Sequence, residues 1–197
     1  MQLVKPILFI LLLSPFLMLI FGAFTATLGA DPQKEIVHET GTWTLYLLML
    51  TLTMTPLRRW TGMPIFLQVR RMIGLFSFFY LAMHMFSFIA LYMGFEWLSI
   101  GEEIMERPYI TLGMLAFILM LPLAITSNRC SMKRLGSRWH KLHRLVYIIA
   151  VLGVWHFYWQ VKSDINKPIF FILLLSLLLG LRIYWANSTR TRTLNKQ

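Results

Sequence analysis

Cysteine is almost missing from this 197-residue chain; Cys130 is the only one. A single thiol excludes an internal disulfide framework and any metal motif built on paired cysteines, and no Cys-x-x-Cys-His haem-attachment motif is present. Charge is scarce as well, at 14% of residues, and acids are the scarcer sign, with 8 Asp and Glu against 19 Lys and Arg. No polar stretch is long enough to hold a separate nucleotide-binding domain, and no Gly-x-Gly-x-x-Gly segment marks one. No internal repeat and no low-complexity linker is evident. A soluble enzyme with a separate nucleotide-binding domain is thereby excluded.

What remains is apolar: 57% of residues are hydrophobic and 15% aromatic. Six membrane spans of about 20 residues require about 120 apolar positions, close to what this composition supplies. Six stretches run along the chain, at Pro6–Gly29, Thr42–Leu57, Met72–Phe95, Tyr109–Thr126, Leu142–Val161 and Pro168–Trp185. The second is short and ends at a proline, so its true start is expected nearer the N-terminus. Lys5 before an apolar run resembles a signal peptide, but the run is longer than a typical h-region and lacks a clean small-x-small cleavage site. An uncleaved first span is the better reading. The expected fold is an all-α membrane protein, a six-transmembrane-helix bundle forming one domain over 1–197 with a short cytoplasmic tail at 186–197.

Charge then sets the expected orientation. The N-terminus, the second-to-third loop, the fourth-to-fifth loop and the tail carry Lys5, Arg58, Arg59, Arg70, Arg71, Arg129, Lys133, Arg134, Arg138, Lys141, Arg144, Arg182, Arg190, Arg192 and Lys196, with no acid among them. Every acid falls on the other side: Asp31, Glu35, Glu39, Glu96, Glu102, Glu103, Glu106 and Asp164, opposed only by Lys34, Arg107, Lys162 and Lys167. Lys and Arg in short loops mark the cytoplasmic face, so both termini are expected there. A basic nucleic-acid face would not alternate from loop to loop. The net charge of +11 therefore reads as membrane orientation.

Two histidines sit deep in the expected spans. His84 and His156 lie on helices of the same direction at a depth of roughly 18–21 Å. An ionisable side chain there is costly and points to a function. Either one alone is equally well read as a histidine bonded across helices or lining a proton path. Two at matched depth favour a shared metal, since neutral imidazole is a good iron ligand, and haem held non-covalently between two axial imidazoles is the natural candidate. The aromatics Trp155, Phe157, Tyr158 and Trp159 suit either a porphyrin or an interfacial belt. His143 lies about 20 Å lower on the same span as His156 and is a candidate ligand for a second cofactor. A regular helix would not present both on one face without a bend or π-bulge, for which Gly153 is the candidate position. The position matching His143 on the third span is Arg71, beside Arg70. A second bis-histidine haem is therefore not supported, and a singly ligated haem or an anionic cofactor near these arginines stays open. Arg107, next to Pro108, is either a propionate partner or an interfacial anchor. His38 is either a quinol or propionate contact or a solvated loop residue, and His140 belongs to the basic loop.

The chain resembles the ferric-reductase-like transmembrane domain family and, within it, the MsrQ (YedZ) haem-binding membrane subunits of bacterial periplasmic methionine sulfoxide reductases. The resemblance is carried by Leu28-Gly29-Ala30-Asp31-Pro32, His38-Glu39-Thr40-Gly41, Thr55-Pro56-Leu57, Arg70-Arg71, Gly74-Leu75, His84, Arg107-Pro108-Tyr109, Thr111-Leu112-Gly113, Leu135-Gly136, Trp139, Leu142-His143, Val146-Tyr147 and His156. It implies haem b, with His84, His143 and His156 matching the family's transmembrane histidines, and an association with FMN for which Arg70 and Arg71 are guesses from charge. It further implies a bacterial inner-membrane electron-transfer subunit, supplied by the quinone pool or a cytoplasmic flavin reductase. Its acceptor would be the periplasmic molybdopterin reductase MsrP, on which the sulfoxide-reducing site resides. Two rival readings are a ferric or cupric reductase using the same haem and a small proton-coupled transporter without haem. With no flavin-nucleotide module in the sequence, the donor is expected to be a separate molecule.

Overall fold

The computed structural model describes residues 3–161 and 164–194, so Lys162 and Lys196 lie outside it, as do the side chains of Arg190 and Arg192. The described residues form helices joined by short turns and loops, without a strand. The elements are α1 (Val4–Phe24), α2 (Pro32–Thr61), α3 (Ile65–Ser87) running on into a π-helical turn (Phe88–Tyr92), α4 (Trp97–Glu106), α5 (Pro108–Ile125), α6 (Arg129–Leu135), α7 (Ser137–Leu142), α8 (Leu145–Gln160) and α9 (Asn166–Leu194). Five helical segments among them are long and apolar enough to cross a membrane, at Val4–Phe24, Ile65–Tyr92, Pro108–Ile125, Ser137–Gln160 and Asn166–Ser188. The chain is thus an all-helical, multi-pass membrane protein.

The expected second span is the one that composition does not pick out, and its chemistry explains why. Asp31 caps α2 by accepting from the Lys34 amide, Pro32 opens the helix, and Gly62 in the left-handed region closes it with its amide on the Arg58 carbonyl. These boundaries add ten residues before Thr42. Threonines lower the hydropathy of α2, but each hydroxyl donates back along its own helix, Thr44 to Thr40, Thr51 to Leu47 and Thr53 to Met49 at 2.8–2.9 Å. Satisfied in this way, they are cheap to bury. α2 is accordingly the centre of the bundle rather than a lipid-facing wall, with Leu47, Leu48, Met49 and Leu52 at most 3% exposed.

Around this axis the helices pack as two pairs, α2 with α3 and α5 with α8, with α9 laid over α8 and α2 and α1 over α3. Leu48, Leu52, Leu81, Met120, Ile149, Val154 and Phe171 form the main core. Leu12, Met54, Ile73, Phe76 and Tyr80 tie α1 to α2 and α3. The outer faces are apolar too, with Leu11, Met18 and Phe21 of α1 and Leu173 and Leu177 of α9 exposed, as a hydrocarbon surround permits.

Several expected boundaries shift. The first span stops at Phe24 rather than Gly29, and the third changes to π-helix at Phe88. The interruption between the two histidines of the expected fifth span falls at His143–Arg144, between α7 and α8, whereas α8 runs unbroken through Gly153. Gly153 instead lets α2 come close, since a Cβ there would stand 3.2 Å from Leu45. The expected tail begins inside α9, which continues to Leu194.

Candidate functional site: a histidine pair between two helix pairs

His84 projects from α3 and His156 from α8, and their rings meet with centroids 6.2 Å apart and planes at 78°. Each ring is held by the helix paired with its own. His84 Nδ1 lies 2.8 Å from the Val37 carbonyl of α2, and His156 Nδ1 lies 2.6 Å from the Tyr109 carbonyl of α5. A carbonyl only accepts, so Nδ1 carries the proton and donates in both rings. That leaves Nε2 with its lone pair in both, the tautomer a metal-binding imidazole requires.

Glycine makes this approach possible. A Cβ on Gly41 of α2 would stand 3.0 Å from the His84 ring, and one on Gly113 of α5 would stand 2.9 Å from His156. Each glycine lies four residues, about one turn, after the carbonyl that fixes the imidazole. The two halves repeat the device at the same separation, 47 residues from Val37 to His84 and 47 from Tyr109 to His156. Residue identities do not otherwise repeat between the halves, so no internal repeat is evident in the sequence; what repeats is a carbonyl, a glycine and a histidine. The equal spacing of Gly41 to His84 and of Gly113 to His156 was the available clue.

The pair opens on a cavity of about 230 Å³, where about 10–15 Å³ by the same measure admits one water. Its walls are largely apolar, including Leu45, Leu81, Phe88, Ala116 and Phe157, and its mouth carries Lys34, His38, Glu103, Arg107 and Gln160. Arg107 pairs with Glu103 at 2.7 Å and donates to the Tyr109 hydroxyl at 3.3 Å. The Gln160 amide lies 2.9 Å from His38 Nε2. An amide nitrogen only donates, so His38 Nε2 accepts this bond through its lone pair. His38 thus belongs to the mouth. Among the run of aromatics after Val154, Phe157 lines the cavity while Trp155, Tyr158 and Trp159 are exposed.

The other singled-out residues lie elsewhere. His143 sits in the turn before α8, with Nε2 3.0 Å from the Thr126 hydroxyl and its ring stacked on Trp139 at 3.9 Å. It does not share the cavity. Arg70 is partly buried and donates to Thr55 at 3.3 Å, and Arg71 is exposed. His84 stands 14 residues beyond Arg70 on α3, about 20 Å along the axis. His140 is exposed.

The fold and the paired histidines define an all-helical membrane bundle of the kind that binds a cofactor between its helices. Residues 40–154 match the family model described as ferric reductase like transmembrane component. Within this class, the chain belongs to the MsrQ family. It is 48% identical over 166 residues, 84% of this chain and 76% of the relative, to the protein-methionine-sulfoxide reductase heme-binding subunit MsrQ of Xanthomonas campestris pv. campestris (strain B100). It is 43% identical over 195 residues, 98% of this chain and 89% of the relative, to the protein of the same name from Herminiimonas arsenicoxydans. No solved structure matches.

Proposed function

We propose that this chain is a haem b electron-transfer subunit in which His84 and His156 are the two axial ligands. The observation that carries the reading is the paired tautomer, with both Nδ1 atoms committed to backbone carbonyls and both Nε2 atoms left as donors of a lone pair. The spacing fits as well. Imidazoles on opposite sides of one metal, bonded at about 2 Å, have ring centres about 6 Å apart, against 6.2 Å here. Apolar walls suit a macrocycle, and Lys34 and Arg107 at the mouth suit its carboxylates. The curated relatives are named as haem-binding subunits of methionine sulfoxide reductase.

When bound, haem supplies a one-electron carrier whose potential follows its ligands and burial. The chain's own residues hold the axial rings, fix their tautomers and keep the cavity apolar. α2, with Asp31 and Glu35 at one end and Arg58 and Arg59 at the other, serves as the sixth span, and the excess of Lys and Arg in alternate loops supports a reading with both termini in the cytoplasm of a bacterial inner membrane. Electrons enter from the quinone pool or a cytoplasmic flavin reductase and leave to a periplasmic MsrP-type molybdopterin reductase, repairing oxidised methionine in periplasmic proteins. The acidic outer segments help the encounter with that partner. FMN enters from the family resemblance alone.

The test is a reduced-minus-oxidised spectrum of the purified protein with pyridine haemochrome quantitation. A Soret band that shifts on dithionite reduction is expected, with most haem lost from His84→Ala and from His156→Ala. Undiminished haem in either variant overturns the ligand assignment, and a colourless parent protein favours the transporter.

A further inference from the structure

At the end of the bundle remote from the histidine pair, two arginines from different helices converge on neighbouring residues of α2 with no carboxylate among their partners. Arg182 of α9 donates through Nη1 to the Tyr147 hydroxyl at 2.6 Å and through Nη2 to the Leu52 carbonyl at 2.9 Å, with its guanidinium 4.9 Å over the Tyr147 ring. Its Nε is buried and has no partner. Arg70 of α3 donates to Thr55 at 3.3 Å, three residues and so less than one turn along α2 from the Leu52 carbonyl that Arg182 takes. The ion pair among the described residues, Arg107 with Glu103, is at the other end of the molecule. All eight acids lie in the segments that flank that other end.

Two partly buried cations with only neutral partners in an apolar bundle are held at a cost that a bound anion removes. The donors left over are guanidinium N–H groups, whose planar fork matches an acceptor-only, tetrahedral oxyanion. Basic pockets between membrane helices on the positively charged side are where lipid phosphates are taken up. We propose that Arg70 and Arg182 form a binding site for a phosphate group, carried by a lipid headgroup or free in solution. The site stands apart from the haem reading, because neither arginine lines the histidine cavity.

The experiment is thermal unfolding of the full-length, haem-loaded protein in a neutral maltoside detergent, titrated with inorganic phosphate, with phosphatidylglycerol in mixed micelles, or with chloride at matched ionic strength. Phosphate or phosphatidylglycerol raises Tm by a few degrees where chloride does not, as binding to the folded state requires. The rise is lost in Arg70→Gln and Arg182→Gln and kept in Arg58→Gln, which removes the same charge from an exposed position. A rise with inorganic phosphate identifies a free phosphate site, and a rise with phosphatidylglycerol alone identifies a headgroup site. No rise with either, an equal rise with chloride, or an undiminished rise in Arg70→Gln overturns the proposal. Should Arg182→Gln fail to fold, Arg70→Gln, which gives up one hydrogen bond, carries the test. The Soret band of Arg70→Gln is expected to match the parent, so failure here leaves the haem assignment intact.

Discussion

Gly41 and Gly113 set how near each imidazole comes to the helix that orients it. Replacing either with valine puts branched carbon where the His84 or His156 ring now lies. The ring then loses its carbonyl partner, and disturbing such a partner costs metal affinity about 10–100-fold. Haem content after purification should fall accordingly in Gly41→Val and Gly113→Val. Gly180→Ala, where a Cβ meets nothing within 4 Å, should keep its haem. Equal haem in all three contradicts the orienting role. His84 and His156 were legible in the sequence because rise per residue converts position into depth. Their glycines were not, since nothing in one chain says which helix a ring will face until the pairing of α2 with α3 and of α5 with α8 is known. Arg182 was equally hidden, counted as one more basic residue near the C-terminal end.

At the scale of elements, α1 shows how a broken ladder is repaired. Pro15 has no amide to donate and its ring crowds the preceding turn. The carbonyl this orphans, Leu11, accepts from the Ser14 hydroxyl at 3.0 Å, and the Tyr80 hydroxyl of α3 bridges the next rung, donating to the Leu12 carbonyl at 2.9 Å and accepting from the Phe16 amide at 3.1 Å. A side chain inserted in this way is a recognised cause of helix bending. Tyr80 is fully buried, so Tyr80→Phe strands a donor and an acceptor in an apolar setting at a cost of about 1–3 kcal/mol. Tm should fall by about 2–4 °C for each kcal/mol, and an unchanged Tm contradicts the bridging role. Helices made mostly of Leu, Ile and Phe, such as α1, α5 and α9, could be read from composition. α2 could be read only from Thr42 onward, because the turns before it carry Lys34, Glu35, His38 and Glu39 and read as an outer loop until Asp31 and Pro32 are seen to open the helix.

For the whole molecule, Cys130 offers a natural reporter of orientation. It is the one cysteine of the chain and is exposed on α6 among the basic residues. A membrane-impermeant maleimide should leave it unlabelled in intact spheroplasts and label it in inverted vesicles. Labelling from outside intact cells contradicts the cytoplasmic placement of the basic loops. The segregation of acids from bases was plain in the sequence, because loop charge needs no tertiary information. The meeting of two helix pairs at one cavity was not, because it depends on packing between residues far apart in the chain. That meeting is what the account rests on, and low-temperature EPR of the oxidised, purified protein addresses it most directly. Two imidazoles at 78° on one ferric haem predict a highly anisotropic low-spin signal that disappears in both His84→Ala and His156→Ala. A high-spin signal in the parent protein, or a low-spin signal that survives either substitution, contradicts it.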